Sequence, residues 1–221
     1  MAVEPGEWIG PALEPDGAAK LAAAMGRPGA AAEAVALSGG QESRVTEILT
    51  PEDVVAAATA AEAALRPAAG RDWSVPAGTL EWDVARTVTH MTGATAKYTL
   101  YLASRCEHFI GLSVTRWPDA TNAEVVDSIV PVAAGLATVA AVTPPGVRAY
   151  HSDGPSSAMD YIGRSCVELL VHTEDALSGL GLAFAPPADL CERVLTRQYP
   201  HAARAGGAWE GLLKATGRPV R

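Results

Sequence analysis

Cysteine is scarce in this sequence, and its few cysteines stand far apart. Only Cys106, Cys166 and Cys191 occur in 221 residues, and they form no Cys-x-x-Cys pair. A disulfide scaffold needs several paired cysteines, and a thiolate zinc site needs closely spaced ones. The pattern argues against both, and we expect a reducing, cytoplasmic location.

Basic residues are also few. Lys and Arg number 17 against 25 Asp and Glu, which gives a formal net charge of -8 and a pI near 5.1. A surface that binds nucleic acid or an anionic membrane needs clustered Lys and Arg. We therefore expect neither partner.

Long apolar runs are missing as well. The longest, residues 129–142, is too short and too rich in Ala and Gly to cross a bilayer. Glu4 and Glu7 stand where an export signal would carry basic residues. The sequence predicts neither membrane insertion nor export.

Helix-favouring residues dominate what is present. Hydrophobic residues make up 48% of the chain, with abundant alanine and little strand-type alternation. This composition predicts an all-α fold with one main domain over residues 46–221. Residues 1–45, rich in Ala, Gly and Pro and with little periodicity, are predicted to be a flexible extension.

Capping residues, prolines and glycines predict where the helices begin and end. Capping-box spacing marks two starts, Thr121–Glu124 and Ser157–Asp160, and the glycines that suit helix ends are Gly179, Gly181 and Gly217. Four long helices are predicted over residues 50–66, 80–104, 121–142 and 157–179. Pro131 should kink or divide the third of these. Two short helices should follow Pro187 and Trp209, and the long connections argue against a minimal bundle with tight loops.

Glu168 and His172 are candidate metal ligands because they lie four residues apart on the fourth long helix. Side chains at this spacing stack on one face and can share an ion, and His with a carboxylate is a usual zinc combination. A second interpretation stays open. Arg164 and Asp175 share the same arc of roughly 80°, which is typical of a solvated helix face.

His90 on the second long helix is the third candidate ligand. It shares a face with Asp83, Arg86 and Lys97, which suits either a wet surface or the wall of a water-filled pocket. Three ligands from two helices would leave a fourth position open, as in a catalytic zinc site.

The remaining polar residues are weaker candidates. His108, His151 and His201 have no second ligand at a suitable spacing, lie in or near loops, and are predicted to be surface residues. Asp175, one turn beyond His172, is either an acceptor that orients the imidazole or a solvated acid.

Two motifs and the tail carry a family resemblance. In DWSVPAGTLEWDVARTVTH (72–90), Trp82 precedes His90 by eight residues, and VELLVHTEDAL (167–177) contains Glu168, His172 and Asp175. With the tail WEGLLKATGRPVR (209–221), these segments resemble the DinB-like family, especially its branch of mycothiol-dependent maleylpyruvate isomerases. The resemblance covers residues 46–221. It implies a DinB-like four-helix bundle whose metal ligands are His90, Glu168 and His172.

The resemblance also implies a function, namely a metal-dependent S-transferase or isomerase that uses mycothiol on a small electrophilic substrate. A divalent ion would lower the pKa of the thiol and make it nucleophilic at neutral pH. Zinc suits the ligand set, and iron, nickel, cobalt and manganese are alternatives. Arg86, Lys97 and Arg164 neighbour the ligands and either hold a carboxylate or are ordinary exposed bases.

Two other functions stay open. Residues 1–45 are unlike the family and the isomerase's additional C-terminal domain is not matched, which allows a non-catalytic metal- or ligand-binding bundle with a regulatory or interaction role. Alternatively, Glu168 and His172 form only a surface ion pair. Expected partners are a small substrate and a thiol, and a homodimer is possible.

Overall fold

The chain is all-α over residues 48–220, the range that the computed structural model describes. The helices are α1 (Glu52–Leu65, extended by a 3-10 turn at Arg66–Ala68), α2 (Val84–Ser104), α3 (Asn122–Asp127), α4 (Ile129–Val142), α5 (Ala158–Gly179), α6 (Ala188–Gln198) and α7 (Ala208–Ala215). Pairing of β type within this range is limited to two isolated bridges. The predicted all-α class is confirmed, and the predicted extension over residues 1–45 lies outside the described residues.

The start of α2 was placed too early by the sequence pattern. Asp83, rather than Thr79, is the N-cap, and its carboxylate accepts a hydrogen bond from the Arg86 N–H at 2.7 Å. The residues before it form a tight extended turn in which Val84 N–H donates to the Val75 carbonyl at 3.0 Å. This backbone pairing keeps residues 80–83 out of the helix.

The third predicted helix is divided, as Pro131 suggested. A capping box between Thr121 and Glu124 begins α3, which ends at Asp127, and α4 begins at Ile129 after Ser128. Pro131 then lies in the first turn of α4, where a missing N–H leaves no hydrogen bond unmade. The break therefore falls just before the proline.

Both ends of α5 follow the sequence signals. Ser157 and Asp160 form the predicted capping box. At the other end Gly181 has φ +69°, and Leu182 N–H donates to the Leu177 carbonyl at 2.8 Å. These features define a Schellman cap, which needs a residue with positive φ. The helix with two candidate ligands is thus fixed at both ends.

Four helices surround the main core. α1 and α2 face each other across it, and each packs against both α4 and α5, while α6 and α7 pair with each other beside α5. The inner face of α1 is mostly alanine, with Ala57, Ala58 and Ala61 fully buried, which lets its neighbours approach closely. Cys166 and Cys191 are also buried, and Cys106 is partly buried.

One segment of the described chain is long and apolar enough to cross a membrane. Within the 21 residues Asn122–Val142, a stretch of 18 residues has a mean hydropathy of 2.0, and 28% of that stretch is buried. The apolar run that the sequence predicts to be too short to cross a bilayer, residues 129–142, is α4 alone. Residues of α3 precede it and make the apolar segment longer. The core helix of a soluble protein can be equally long and apolar, so this one segment is weak evidence for a membrane span.

Candidate metal centre

His90, Glu168 and His172 converge on one point between α2 and α5. Glu168 Oε2 lies 3.3 Å from His90 Nε2 and 3.2 Å from His172 Nε2. One donor atom from each of the three residues falls within 4.8 Å of the others. The α2 and α5 helices, which pack extensively against each other, therefore bring the three sequence candidates together.

The distances fit a shared ion. Two atoms bonded to one tetrahedral ion at about 2.0–2.1 Å lie about 3.3–3.4 Å apart. The two oxygen–nitrogen separations, 3.3 and 3.2 Å, are close to that value. The spacing of the donors is thus suited to a zinc-sized cation.

The hydrogen bonding of Glu168 points the same way. Its Oε2 atom is buried and has no hydrogen-bond partner of acceptable geometry, although two imidazole nitrogens are close to it. A buried carboxylate oxygen without a partner is costly. A cation at the centre of the three groups would satisfy it.

The helix face that carries the ligands is not solvated. His172 is 6% exposed and Asp175 is 3% exposed, so the second interpretation of the α5 arc is wrong. The arc looked polar enough for a surface, but it faces α2 and the C-terminal tail. Polar residues on a buried helix face need partners. His172 contacts Glu168 and Asp175, and Asp175 also binds Arg218 of the tail.

The electrostatics of the site favour a positive charge beside Glu168. Burial opposes ionisation of His172, yet its contacts with Asp175 and Glu168 raise the pKa of the imidazole to about 9. Burial likewise opposes ionisation of Glu168, but the two histidines hold the pKa of its carboxyl well below the ordinary 4.5. Without a metal, protonated His172 supplies the positive charge beside Glu168, and a metal ion would bind there in exchange for the Nε2 proton.

Asp175 is the partner that orients His172. Its Oδ2 lies 2.9 Å from His172 Nδ1, and an ionised carboxylate can only accept. The imidazole therefore donates from Nδ1, which leaves the Nε2 lone pair for a metal. Asp175 is buried and bonded to His172, which favours the orienting interpretation over that of a solvated acid.

Arg218 is a residue of the site that sequence reasoning missed. Its Nε and Nη2 donate to the two carboxylate oxygens of Asp175 at 3.2 and 2.9 Å. The signal available in the sequence was Gly217, which was correctly predicted to end the last helix. Nothing local indicated that the next side chain reaches α5.

Trp82 covers His90. The two ring centroids are 4.9 Å apart at an angle of 63°, and the Arg86 guanidinium lies 4.3 Å from the Trp82 ring centroid. The turn before α2 brings Trp82 back over the helix. The spacing of eight residues between Trp82 and His90 therefore corresponds to a direct contact.

The other two bases lie in different surroundings. The Lys97 ammonium is 4.3 Å from the ring centroid of Phe109, and its burial lowers its pKa. Arg164 lies one helical turn before Glu168, and its Nη1 donates to Asp153 at 2.8 Å. Its Nε is buried and has no hydrogen-bond partner.

The three excluded histidines divide into two groups. His108 and His201 are exposed, as predicted. The prediction for His151 was wrong, because its side chain is only 12% exposed and its ring packs between Tyr98 and Tyr161. Burial lowers the pKa of His151 to about 4. The position of His151 in a loop did not indicate that Tyr98 and Tyr161, which lie on two helices, cover its ring.

Comparison with known proteins supplies no relative, since no family model, no curated protein and no solved structure matches the chain. The function must therefore be argued from the geometry of the site.

Proposed function

We propose that this chain is a DinB-like metal protein that acts on a small electrophilic substrate with a low-molecular-weight thiol of the mycothiol type. It either transfers the thiol to the substrate or uses the thiol to isomerise the substrate. One observation carries the proposal. A buried carboxylate oxygen lies 3.3 and 3.2 Å from two imidazole nitrogens, and the three donor atoms all lie within 4.8 Å of one another, which suits ligands of one divalent ion. Zinc is the expected metal and the cytoplasm the expected location.

The fold of the described residues is compatible with the family in the proposal. α1, α2, α4 and α5 surround one core and are joined by long connections. The ligands come from the second and fourth of these helices, which is the arrangement that the two motifs imply.

The chain's own groups prepare the site for a bound cation and a thiol. A divalent ion would supply Lewis acidity and favour the thiolate form of the cosubstrate. His172 Nδ1–H is held by Asp175, so its Nε2 is directed at the common point. Trp82 packs over His90 and shields the imidazole. Three protein ligands leave room for an exogenous group.

Metal binding is the first test. Protein purified without an affinity tag should contain close to one equivalent of divalent metal by elemental analysis, and His90→Ala and His172→Ala should lose most of it. His201→Ala is the matched control, because His201 is exposed and should leave the metal content unchanged. An equivalent of metal in both ligand variants would refute the ligand assignment.

Turnover is the second test. Mycothiol should be titrated calorimetrically against the metal-loaded and the metal-free protein, and consumption of a panel of epoxides, activated halides and conjugated acids should be followed alongside. Metal-dependent thiol binding with turnover supports the enzyme. Thiol binding without turnover across the panel would favour the non-catalytic binding bundle instead.

A further inference from the structure

The C-terminal tail is folded back onto α5 by a motif that the sequence encodes locally. After α7, Gly217 has φ +75°, its N–H donates to the Lys214 carbonyl at 3.1 Å, and Arg218 N–H donates to the Leu213 carbonyl at 2.7 Å. This pair of bonds is a Schellman motif, which strongly favours glycine at the residue with positive φ. The backbone position of Arg218 is therefore set by these local hydrogen bonds and does not depend on the contacts of its side chain.

The Arg218 side chain is buried and its donors are used. Nε and Nη2 bind the two oxygens of Asp175 at 3.2 and 2.9 Å, and Nη1 donates to the Thr216 carbonyl at 2.7 Å. The side chain is 11% exposed and that of Asp175 is 3% exposed. A planar guanidinium on both oxygens sets the plane of the carboxylate as well as its position.

A continuous series of hydrogen bonds connects Arg218 through Asp175 to His172, a proposed metal ligand. Asp175 Oδ2, which accepts from Arg218, also accepts from His172 Nδ1 at 2.9 Å, and His172 Nε2 lies 3.2 Å from Glu168 Oε2. A rotation of the Asp175 carboxylate would turn the imidazole with it. Arg218 thus acts on His172 through one intermediate group.

We propose that Arg218 is a positioning residue for the metal site, which holds Asp175 so that His172 presents Nε2 to the ion. The inference rests on the proposed metal site. It assigns a role in metal affinity to a side chain in the tail, 46 positions after the ligand that it serves. Without Arg218 the ligand set is intact, but its geometry is less well defined.

A second buried pair provides a matched control. Arg193 donates from Nε and Nη2 to Asp53 at 3.1 and 2.8 Å, with side chains 14% and 7% exposed. It joins α6 to the start of α1 and resembles the Arg218–Asp175 pair in chemistry and burial. Loss of either arginine should therefore have a similar cost in stability.

The test compares Arg218→Gln, Arg218→Lys and Arg193→Gln in the full-length protein. Zinc dissociation constants are measured by competition with a chromophoric chelator, the visible spectrum of the cobalt-loaded protein is recorded, and thermal unfolding of the metal-free protein is followed. We expect Arg218→Gln to weaken zinc binding about 10- to 100-fold, the usual effect of removing an outer hydrogen-bonding partner, and to change the cobalt spectrum. Arg193→Gln should lower the melting temperature comparably and keep zinc affinity within about twofold of wild type.

Arg218→Lys keeps the test decisive if Arg218→Gln does not fold. Lysine keeps the charge and cannot bind both oxygens in a planar fork, so we expect near-normal stability with about 3- to 10-fold weaker zinc binding. Unchanged zinc affinity in both Arg218 variants would overturn the inference alone. A wild-type protein that binds no divalent metal would overturn both the inference and the proposed function.

Discussion

The contact between Trp82 and His90 shows how one aromatic ring can restrict the orientation of a proposed metal ligand. The indole meets the imidazole edge-on with centroids 4.9 Å apart. Such aromatic pairs contribute about 0.5–1.5 kcal/mol beyond the area they bury. The interaction limits the rotation of His90, just as Asp175 limits that of His172.

Replacement of Trp82 should weaken metal binding without removing a ligand. We expect Trp82→Ala to raise the zinc dissociation constant about 2- to 10-fold, from the aromatic contribution that is lost, whereas Trp82→Phe should recover most of the affinity. Chelator competition measures both. Trp117→Ala serves as control, because Trp117 is 76% exposed. A change in the control as large as that in Trp82→Ala would contradict the assigned contact.

Asp160 at the start of α5 links helix capping to acid stability. Its Oδ2 accepts from the Ser157 N–H at 2.9 Å and from the Ser157 hydroxyl at 2.7 Å. Partial burial opposes ionisation, but these bonds and Arg197 keep the pKa of Asp160 below the ordinary 3.8. A lowered pKa means that the charged form stabilises the fold above that ordinary value, and that the contribution is lost as the pH falls through the native pKa.

We therefore expect Asp160→Asn to destabilise the protein by about 0.5–1 kcal/mol at neutral pH, since the side chain is partly exposed and the bonds are screened. The difference from wild type should begin to shrink below about pH 4, where the carboxyl is protonated in the unfolded chain, and should disappear as the pH falls through the lower native pKa. Urea unfolding at a series of pH values measures it. A difference that grows on acidification would contradict the direction of the pKa shift.

Two glycines in different helices should respond oppositely to alanine. A Cβ on Gly179, at the end of α5, would overlap the Pro76 carbonyl oxygen and lie 3.0 Å from the Ala77 Cα, whereas nothing lies within 4 Å of a Cβ on Gly135 in α4. Gly179→Ala should cost about 1–3 kcal/mol through overpacking, and Gly135→Ala should gain about 0.5–1 kcal/mol in helix propensity. Denaturant titration measures both, and equal stabilities would contradict the packing.

Across the whole molecule, the site joins two helices that are distant in sequence. His90 is on α2, while Glu168 and His172 are on α5, so a bound ion links the two longest helices of the described chain. A ligand that binds only the native state stabilises it by about 2.7 kcal/mol at 100 times its dissociation constant.

Zinc should accordingly raise the melting temperature by about 5–11 °C at that concentration, given about 2–4 °C per kcal/mol for a protein of this size. Differential scanning calorimetry with and without zinc measures the shift. His172→Ala should show no shift. A shift of equal size in His172→Ala would place zinc elsewhere on the protein.

Local signals explain most of what the sequence predicted. Capping boxes at Thr121 and Ser157 and the glycine after α5 act over three or four residues, and the structure has them where they were expected. The three candidate ligands were found from helical spacing together with the family resemblance. The helical spacing and each family motif are properties of one short segment of the sequence.

What the sequence did not reveal depends on contacts between distant segments. The turn before α2 delays its start to Val84 because of backbone bonds to residues 73–77, which no helix signal encodes. Burial of His151 depends on Tyr98 and Tyr161, and the role of Arg218 depends on where α7 packs. In each case the deciding partner is five or more residues away, beyond the three or four residues over which capping signals act.

The burial of the thiols has a consequence for the proposed reaction with electrophiles. Burial raises the pKa of Cys191 to about 12 and that of Cys166 far above its ordinary value, while Cys106 is only partly buried. Iodoacetamide should therefore alkylate Cys106 first in the native protein and all three cysteines in urea, as intact-mass spectrometry can follow. Prompt labelling of Cys166 in the native state would contradict this order. An enzyme of the proposed kind would be protected against inactivation by its own electrophilic substrates, because the buried thiols of Cys166 and Cys191 are inaccessible to them.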